Sequence, residues 1–119
     1  NFNISLPVIK ENNQMNFLQW SRNDPLKINK FGIPETISNK KIYPNILLIP
    51  LVGFDNQLNR LGYGGGYYDR TFAYLKNKKK KFISVGYAFD GQKVPEVPKD
   101  KFDIKLDYVI TEKKIYNFI

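Results

Sequence analysis

One stretch of this 119-residue chain concentrates residues that could do chemistry: Arg60-Leu61-Gly62-Tyr63-Gly64-Gly65-Gly66-Tyr67-Tyr68-Asp69-Arg70. Four glycines within Gly62–Gly66 remove side chains where backbone must come close to something. The arginine at each end carries forked donors that suit phosphate oxygens. The three tyrosines can stack on a flat ring or donate a hydroxyl. The apolar run Ile46 to Phe54 comes before the glycines, and residues with helical spacing come after them. A strand, a glycine loop and a helix N-terminus together hold anions, because N–H groups point at the ligand and the helix dipole favours negative charge. No Gly-Lys-Ser/Thr follows, so this is not a Walker A loop, and the spacing is not that of a dinucleotide fold. A glycine cluster can also be a plain tight turn; the flanking arginines and tyrosines favour the phosphate reading.

The elements that must position these residues read as one α/β unit over 1–119, without repeat, low-complexity tract or linker. Asn3 to Ile9 reads as an edge strand ending near Pro7, with a turn at Asn12-Asn13 and a return strand from Gln14 to Trp20. Asn23-Asp24-Pro25 breaks the chain. Leu26 to Lys30 reads as a strand or a helical turn, and Phe31 to Glu35 as an extended loop ahead of Pro34. Ile46 to Leu51 is continuously apolar, which predicts an internal strand buried on both faces. A helix is expected from about Gly66, with Tyr68, Phe72 and Leu75 on its apolar face. Phe82 to Phe89 and Leu106 to Thr111 read as further strands, Asp90-Gly91 as a turn, and Glu112 to Phe118 as a terminal helical turn. Strand, helix, strand, loop, strand implies a sheet that is at least partly parallel.

Composition narrows the chemistry. With no cysteine and no histidine, a thiolate nucleophile, a Cys/His zinc site, a histidine base and a Ser–His–Asp hydrolase are all excluded. Any metal must be held by carboxylates, carbonyls, water and ligand oxygens, which favours Mg²⁺. The formal net charge of +8 points by reflex to nucleic acid. Much of it, however, sits in Lys76 to Lys81, which reads first as a solvated helix end and second as an attractor of anionic ligands. No apolar run is long enough to span a membrane, and the start shows no signal-peptide pattern, so a cytoplasmic location is expected.

Taken as words, Ile49-Pro50-Leu51-Val52-Gly53-Phe54-Asp55 followed by Asn59-Arg60 through Arg70 resembles the signature of the 5-formyltetrahydrofolate cyclo-ligase family. Phe31-Gly32-Ile33-Pro34-Glu35, Gln92, Asp103-Ile104-Lys105-Leu106-Asp107 and Ile110-Thr111-Glu112 are weaker words that fall in the family's order, so the resemblance covers nearly the whole chain. The resemblance implies a three-layer α/β/α fold with a partly parallel central sheet, of which this chain is the C-terminal part. It implies an ATP- and Mg²⁺-dependent conversion of 5-formyltetrahydrofolate to 5,10-methenyltetrahydrofolate. It implies that ATP is bound by Arg60, Leu61, Gly62, Tyr63, Gly64, Gly65, Gly66, Tyr67 and Tyr68, that Tyr63 through Tyr67 also border the folate, and that Asp69 and Asp107 hold Mg²⁺, directly or through water. Arg60, Tyr67 and Asp69 take the catalytic roles. Such chemistry asks mainly for positioning and charge stabilisation, which a site without histidine or cysteine can supply.

Plainer readings stand beside these roles. Asp69 also suits a helix N-terminus, Asp107 a strand-end turn, Asp55 a turn or cap, and Arg70 a pair with Asp55 or Asp69. Trp20 and Phe31 read as core, and Gln92 as loop hydrogen bonding or substrate contact. Family members carry a longer N-terminal part, with a basic helix for the ATP phosphates and a carboxylate for the pterin, and this sequence enters after it. A fragment, a split enzyme with an N-terminal partner polypeptide, and a non-catalytic nucleotide- or folate-binding remnant are therefore all open. A basic RNA-binding module ranks below them. The chain by itself is expected to bind ATP weakly and to expose an apolar patch.

Overall fold

A computed structural model describes residues 2–10, 14–98 and 104–117. Its contacts gather into two compact units, Asn1–Pro44 and Asn45–Ile119.

In the first unit, β1 (Ile4–Ile9) and β2 (Met15–Trp20) pair antiparallel, with Leu6 opposite Leu18, as the alternation foretells. A second ribbon joins β3 (Leu26–Ile28) to β4 (Pro34–Thr36). The segment expected to be an extended loop thus divides into a turn and a strand. Its turn is built by Asn29, whose side-chain oxygen accepts from the Phe31 and Ile33 N–H groups while Gly32 takes φ +78°. Glu35, buried in β4, accepts from the Ile9 N–H and the Asn29 side-chain amide. Phe31, read as core, is instead exposed, with the Lys30 amine 5.2 Å from its ring centroid. Trp20 is half-buried and donates to the Asp24 carbonyl. The turn expected at Asn12-Asn13 lies outside the described residues.

The second unit holds the sheet that matters for the site. Its four strands run in the order β10–β9–β8–β5: β5 (Ile46–Pro50), β8 (Ile83–Tyr87), β9 (Tyr108–Ile110) and β10 (Ile115–Asn117). β5, β8 and β9 are parallel, and β10 returns antiparallel. A two-stranded ribbon, β6 (Gly53–Phe54) with β7 (Arg60–Leu61), interrupts the path from β5 to the helix α1 (Tyr67–Asn77). The mixed sheet with its crossover helix makes this an α/β fold, as the sequence predicts.

Helix α1 buries Phe72 and Leu75, and Phe72 meets Phe82 edge-on at 4.9 Å. The inner face of the sheet, with Leu47, Ile49, Ser84 and Val109, is fully buried. Gly86 is required there. A Cβ at this position would sit 2.8 Å from Leu106 Cδ1 and 2.9 Å from Leu51 Cδ2.

Two expectations for the second unit need correction. β5 is not internal among the described strands; it ends the sheet, and its burial alternates, with Leu47 and Ile49 inside and Ile46 and Leu48 exposed. An all-apolar run cannot reveal which of its two faces is covered. The terminal segment is not helical: Thr111 Oγ1 accepts from the Lys113 and Lys114 N–H groups, which closes a hairpin and sends Ile115–Asn117 back along β9.

Candidate functional site

The glycine loop lies past the C-terminal end of β5, where parallel α/β sheets place their ligands. That end is closed by side chains. Arg60 Nε donates to the Pro50 carbonyl at 2.9 Å, and the Tyr63 hydroxyl donates to the Leu51 carbonyl at 3.3 Å. Gln92 Nε2, from the turn after β8, donates to the same Leu51 carbonyl at 3.0 Å and to that of Val52 at 3.3 Å. Gln92 Oε1 in turn accepts from the Phe89 N–H. Gln92 is therefore spent on joining two loops.

Arg60 is the centre of this arrangement. It is 8% exposed, with its guanidinium carbon 5.3 Å from the Tyr68 ring centroid. Burial lowers its pKa from the ordinary arginine value, opposed by the charge of Asp69 and by Tyr68 and Tyr63. Burial likewise pushes the Tyr68 phenol up, against the pull of Arg60. The glycines are seats for these side chains. A Cβ on Gly62 would lie 2.7 Å from Arg60 Nη1, one on Gly65 2.9 Å from the Tyr67 ring, and one on Gly66 2.8 Å from Arg70 Nη1. Gly64 and Gly66 take φ +96° and +70°, and Gly66 caps α1 in the left-handed conformation. Helix thus begins at Tyr67, one residue past the expected point, with Asp69 in its first turn. Leu61 and Tyr63 are exposed; Tyr67, Tyr68 and Asp69 are half-buried. Arg70 lies over Tyr67, 5.0 Å from the ring centroid.

The other carboxylates are placed differently. Asp55 is a structural anchor. It is 3% exposed and accepts from the Gln57 and Asn59 N–H groups, the Asn59 side-chain amide and the Val97 N–H, at 3.0–3.1 Å. Burial pushes its pKa up, but these donors outweigh it, led by Val97, and hold the carboxyl below its ordinary value. They fix the turn in which Leu58 takes φ +61°.

Asp107 stands at the far end of the sheet. Its Oδ2 accepts from the Ser84 N–H at 2.8 Å and from Ser84 Oγ at 3.1 Å. Ser84 pairs with Leu47, whereas Arg60 and the Asp69 charge beside it belong at Pro50. Three residues of strand separate the two levels, roughly 10 Å along the sheet. Asp69 and Asp107 are therefore not brought to one ion, and among the described residues no group of three or more Asp and Glu side chains could hold one. The reason is topological: Asp107 precedes β9, while Asp69 follows β5, so parallel strands send them to opposite ends. Asp103 lies outside the described residues.

The model of the 5-formyltetrahydrofolate cyclo-ligase family matches residues 1–112. The chain belongs to that family. It is 41% identical over 113 residues to the 5-formyltetrahydrofolate cyclo-ligase of Haemophilus influenzae, an overlap that takes in 89% of this chain and 59% of that protein. The enzyme of Escherichia coli is 36% identical, over 86% of this chain and 58% of its own length. The NMR structure of Aquifex aeolicus 5,10-methenyltetrahydrofolate synthetase superposes with a TM-score of 0.80 at 30% identity, covering 97% of this chain and 58% of that one. The chain thus spans about three-fifths of the length of these relatives.

Sequence reasoning missed the β6–β7 ribbon that Asp55 organises, the closing role of Gln92, and a second polar knot. In that knot Asp90 Oδ1 accepts from the Tyr116 hydroxyl and from Thr111 Oγ1, while the Asp90 N–H donates to Glu112. The Gln92 position carried a signal, but its partners lie 40 and 41 residues away.

Proposed function

We propose that this chain supplies the phosphate-binding part of an ATP- and Mg²⁺-dependent 5-formyltetrahydrofolate cyclo-ligase. The observation that carries the reading is the Arg60-centred glycine loop at the N-terminus of α1, in a chain of this family. The fit to a nucleotide is chemical: left-handed glycines, an eleven-residue helix opening at the loop and a positive guanidinium at its base suit a polyphosphate. The fit to a metal held by Asp69 and Asp107 together fails on their separation. Magnesium would instead arrive with the nucleotide, coordinated by phosphate oxygens and water, with Asp69 as the carboxylate at that end.

ATP supplies the phosphoryl group that converts the formyl oxygen of the folate into a leaving group. ADP leaves, the N10 amine bonds to the formyl carbon and gives up its proton to the departing phosphate or to water, the C–O bond breaks, and phosphate departs with the oxygen. Within this scheme Arg60 holds the loop to β5 and sets positive charge beneath the phosphates. Leu61 to Gly66 offer backbone N–H groups. Tyr63, Tyr67 and Tyr68 border the nucleotide, and Tyr63 and Tyr67 also border the folate near its formyl group.

The test is to incubate the chain with ATP, Mg²⁺ and 5-formyltetrahydrofolate and follow the near-ultraviolet absorbance of the methenyl product. The assay is repeated with a polypeptide comprising the part of the Haemophilus influenzae relative that lies outside the 113 matched residues. Product should be weak or absent from the chain alone and appear on addition of that polypeptide. Absence of both ATP binding and product, with and without that polypeptide, would overturn the reading.

A further inference from the structure

One peptide group joins the turn after β8 to the glycine loop. The Leu51 carbonyl and the Val52 N–H are its two ends, held in one plane. The carbonyl accepts from Gln92 Nε2 at 3.0 Å, and the N–H donates to the Leu61 carbonyl, at the entry to the loop, at 2.8 Å. A turn of this peptide therefore breaks both bonds at once. The Tyr63 hydroxyl also donates to the Leu51 carbonyl, at 3.3 Å, but Tyr63 is 73% exposed and belongs to the loop, so it follows the loop and cannot fix it. Gln92 comes from outside the loop and reaches the Val52 carbonyl as well.

The other end of Gln92 is anchored. Its Oε1 accepts from the Phe89 N–H at 2.8 Å, and its own N–H donates to the Phe89 carbonyl at 2.9 Å, which closes the turn. The Ala88 N–H donates to the Ile110 carbonyl, and Asp90 Oδ1 accepts from Thr111 Oγ1 and the Tyr116 hydroxyl, so the turn is tied to the terminal hairpin. On its far side the Val94 N–H donates to the Phe54 carbonyl at 2.7 Å. Gly53 brings the ribbon so close that a Cβ there would lie 3.3 Å from the Gln92 carbonyl oxygen. The side-chain amide uses both its donor and its acceptor in this brace.

We propose that Gln92 is a positioning residue for the nucleotide: through the Leu51–Val52 peptide it sets the glycine loop in the shape that receives phosphate. The proposal rests on the reading of that loop as the phosphate site. Without the amide the chain keeps its fold, but the peptide is free to turn. The apparent affinity for nucleotide then falls with the fraction of chains whose loop is in place. Once nucleotide is bound the loop has its working shape, so the chemical step keeps its rate. KM for ATP rises while kcat holds.

The test uses the preparation that makes methenyltetrahydrofolate and, without nucleotide, the chain alone. Gln92→Glu keeps an acceptor for the Phe89 N–H and sets a carboxylate oxygen against the Leu51 and Val52 carbonyls. It should raise KM for ATP about tenfold, with kcat and the KM for 5-formyltetrahydrofolate within about twofold of wild type. Gln92→Met fills the space and neither donates nor repels; it should raise KM for ATP about threefold. In both variants hydrogen exchange at the Val52 N–H, followed by NMR in the chain alone, should quicken. Val109→Ala, in the core of the sheet, should lower the melting temperature and leave KM for ATP unchanged, which separates positioning from lost stability. If Gln92→Glu does not fold, Gln92→Met carries the test. Wild-type KM for ATP in a folded variant, or unchanged Val52 exchange, would overturn the inference. So would a rise in the KM for 5-formyltetrahydrofolate in place of that for ATP, since Gln92 would then be a folate contact. A wild-type preparation that neither binds ATP nor forms product would remove the nucleotide reading itself, and this inference with it.

Discussion

The two ends of the parallel strands look alike in sequence and differ in construction. Each carries an aspartate within a family word, Asp69 in the glycine word and Asp107 in the closing one. At the C-terminal end, β5 finishes on carbonyls that receive three side chains, Arg60, Tyr63 and Gln92, and the glycine loop is wrapped around them. At the N-terminal end, Asp107 bonds Ser84 of the neighbouring strand. One end is a frame around a loop; the other is a clasp between strands. Two aspartates with similar settings in the sequence can therefore serve different needs, one beside the glycine loop and one holding the sheet.

The largest effect should come from the frame. Arg60→Ala removes a buried guanidinium, its bond to Pro50 and its contact with Tyr68 together. In the preparation that makes methenyltetrahydrofolate, turnover should fall about a hundredfold or more, the scale of losing a preorganised charge contact. Arg60→Lys should recover part of it, since lysine keeps the charge and loses the fork. Gly62→Ala tests the seat itself: its Cβ would meet Arg60 Nη1 at 2.7 Å, so nucleotide binding should weaken in the same direction. Wild-type turnover in Arg60→Ala would reduce the C-terminal end to scaffolding, like its counterpart.

Next comes Asp55, which supports the frame without belonging to the loop. Asp55→Ala strands four donors in a buried turn and should cost about 3 kcal/mol or more of stability, read as a fall in melting temperature. The pH dependence has a definite sign. The folded carboxyl titrates below its ordinary value of 3.8, so its contribution is present above that pH and lost as pH falls through the lower, folded value. Asp55→Asn should blunt this acid loss.

The contrast between the ends was only half legible in the sequence. The glycine loop and the start of α1 were readable because their determinants are local: Gly66 and Tyr67 are neighbours, and left-handed glycines announce themselves. The β1–β2 hairpin was readable for the same reason. The neighbours of β5, the exposure of Leu48 and the partner of Asp107 depend on pairings 23 or more residues apart, which periodicity does not carry. The terminal hairpin was missed because Thr111, a short polar residue able to close a turn, was read within the strand. Asp55 was readable as a turn residue, but its bond to Val97, 42 residues on, was not.

A direct way to sharpen the comparison is to neutralise each aspartate of the pair in turn. Asp107→Asn keeps an oxygen to accept from Ser84, so it should shift stability by no more than about 1 kcal/mol and leave the magnesium requirement unchanged. Asp69→Asn should raise the Mg²⁺ concentration needed for half-maximal turnover, measured by titrating Mg²⁺ at fixed ATP. If Asp107→Asn moved that requirement as much as Asp69→Asn, the separation of the two ends would not describe the working enzyme.

The smallest expected effect is alkaline and belongs to the Asp90–Tyr116 knot, beyond the C-terminal ends of β8 and β9. The hydrogen bond to Asp90 pushes the Tyr116 phenol up to about 12, and the same bond holds Asp90 below its ordinary value. A group whose pKa is raised on folding stabilises the fold fully below its unfolded value of 10.0 and loses that contribution as pH climbs towards 12. Stability should therefore fall between those values by more in the native chain than in Tyr116→Phe, which keeps the ring against Phe54 and removes the proton. The contribution is modest because the knot is open to solvent, and Lys93 and Lys114, about 5 Å from the ring, temper the cost of a phenolate. Ultraviolet titration of the phenol against denaturation midpoints from pH 9 to 12 makes the comparison. If the two proteins lost stability in parallel, the knot would be a surface contact without influence on how the C-terminal end is held.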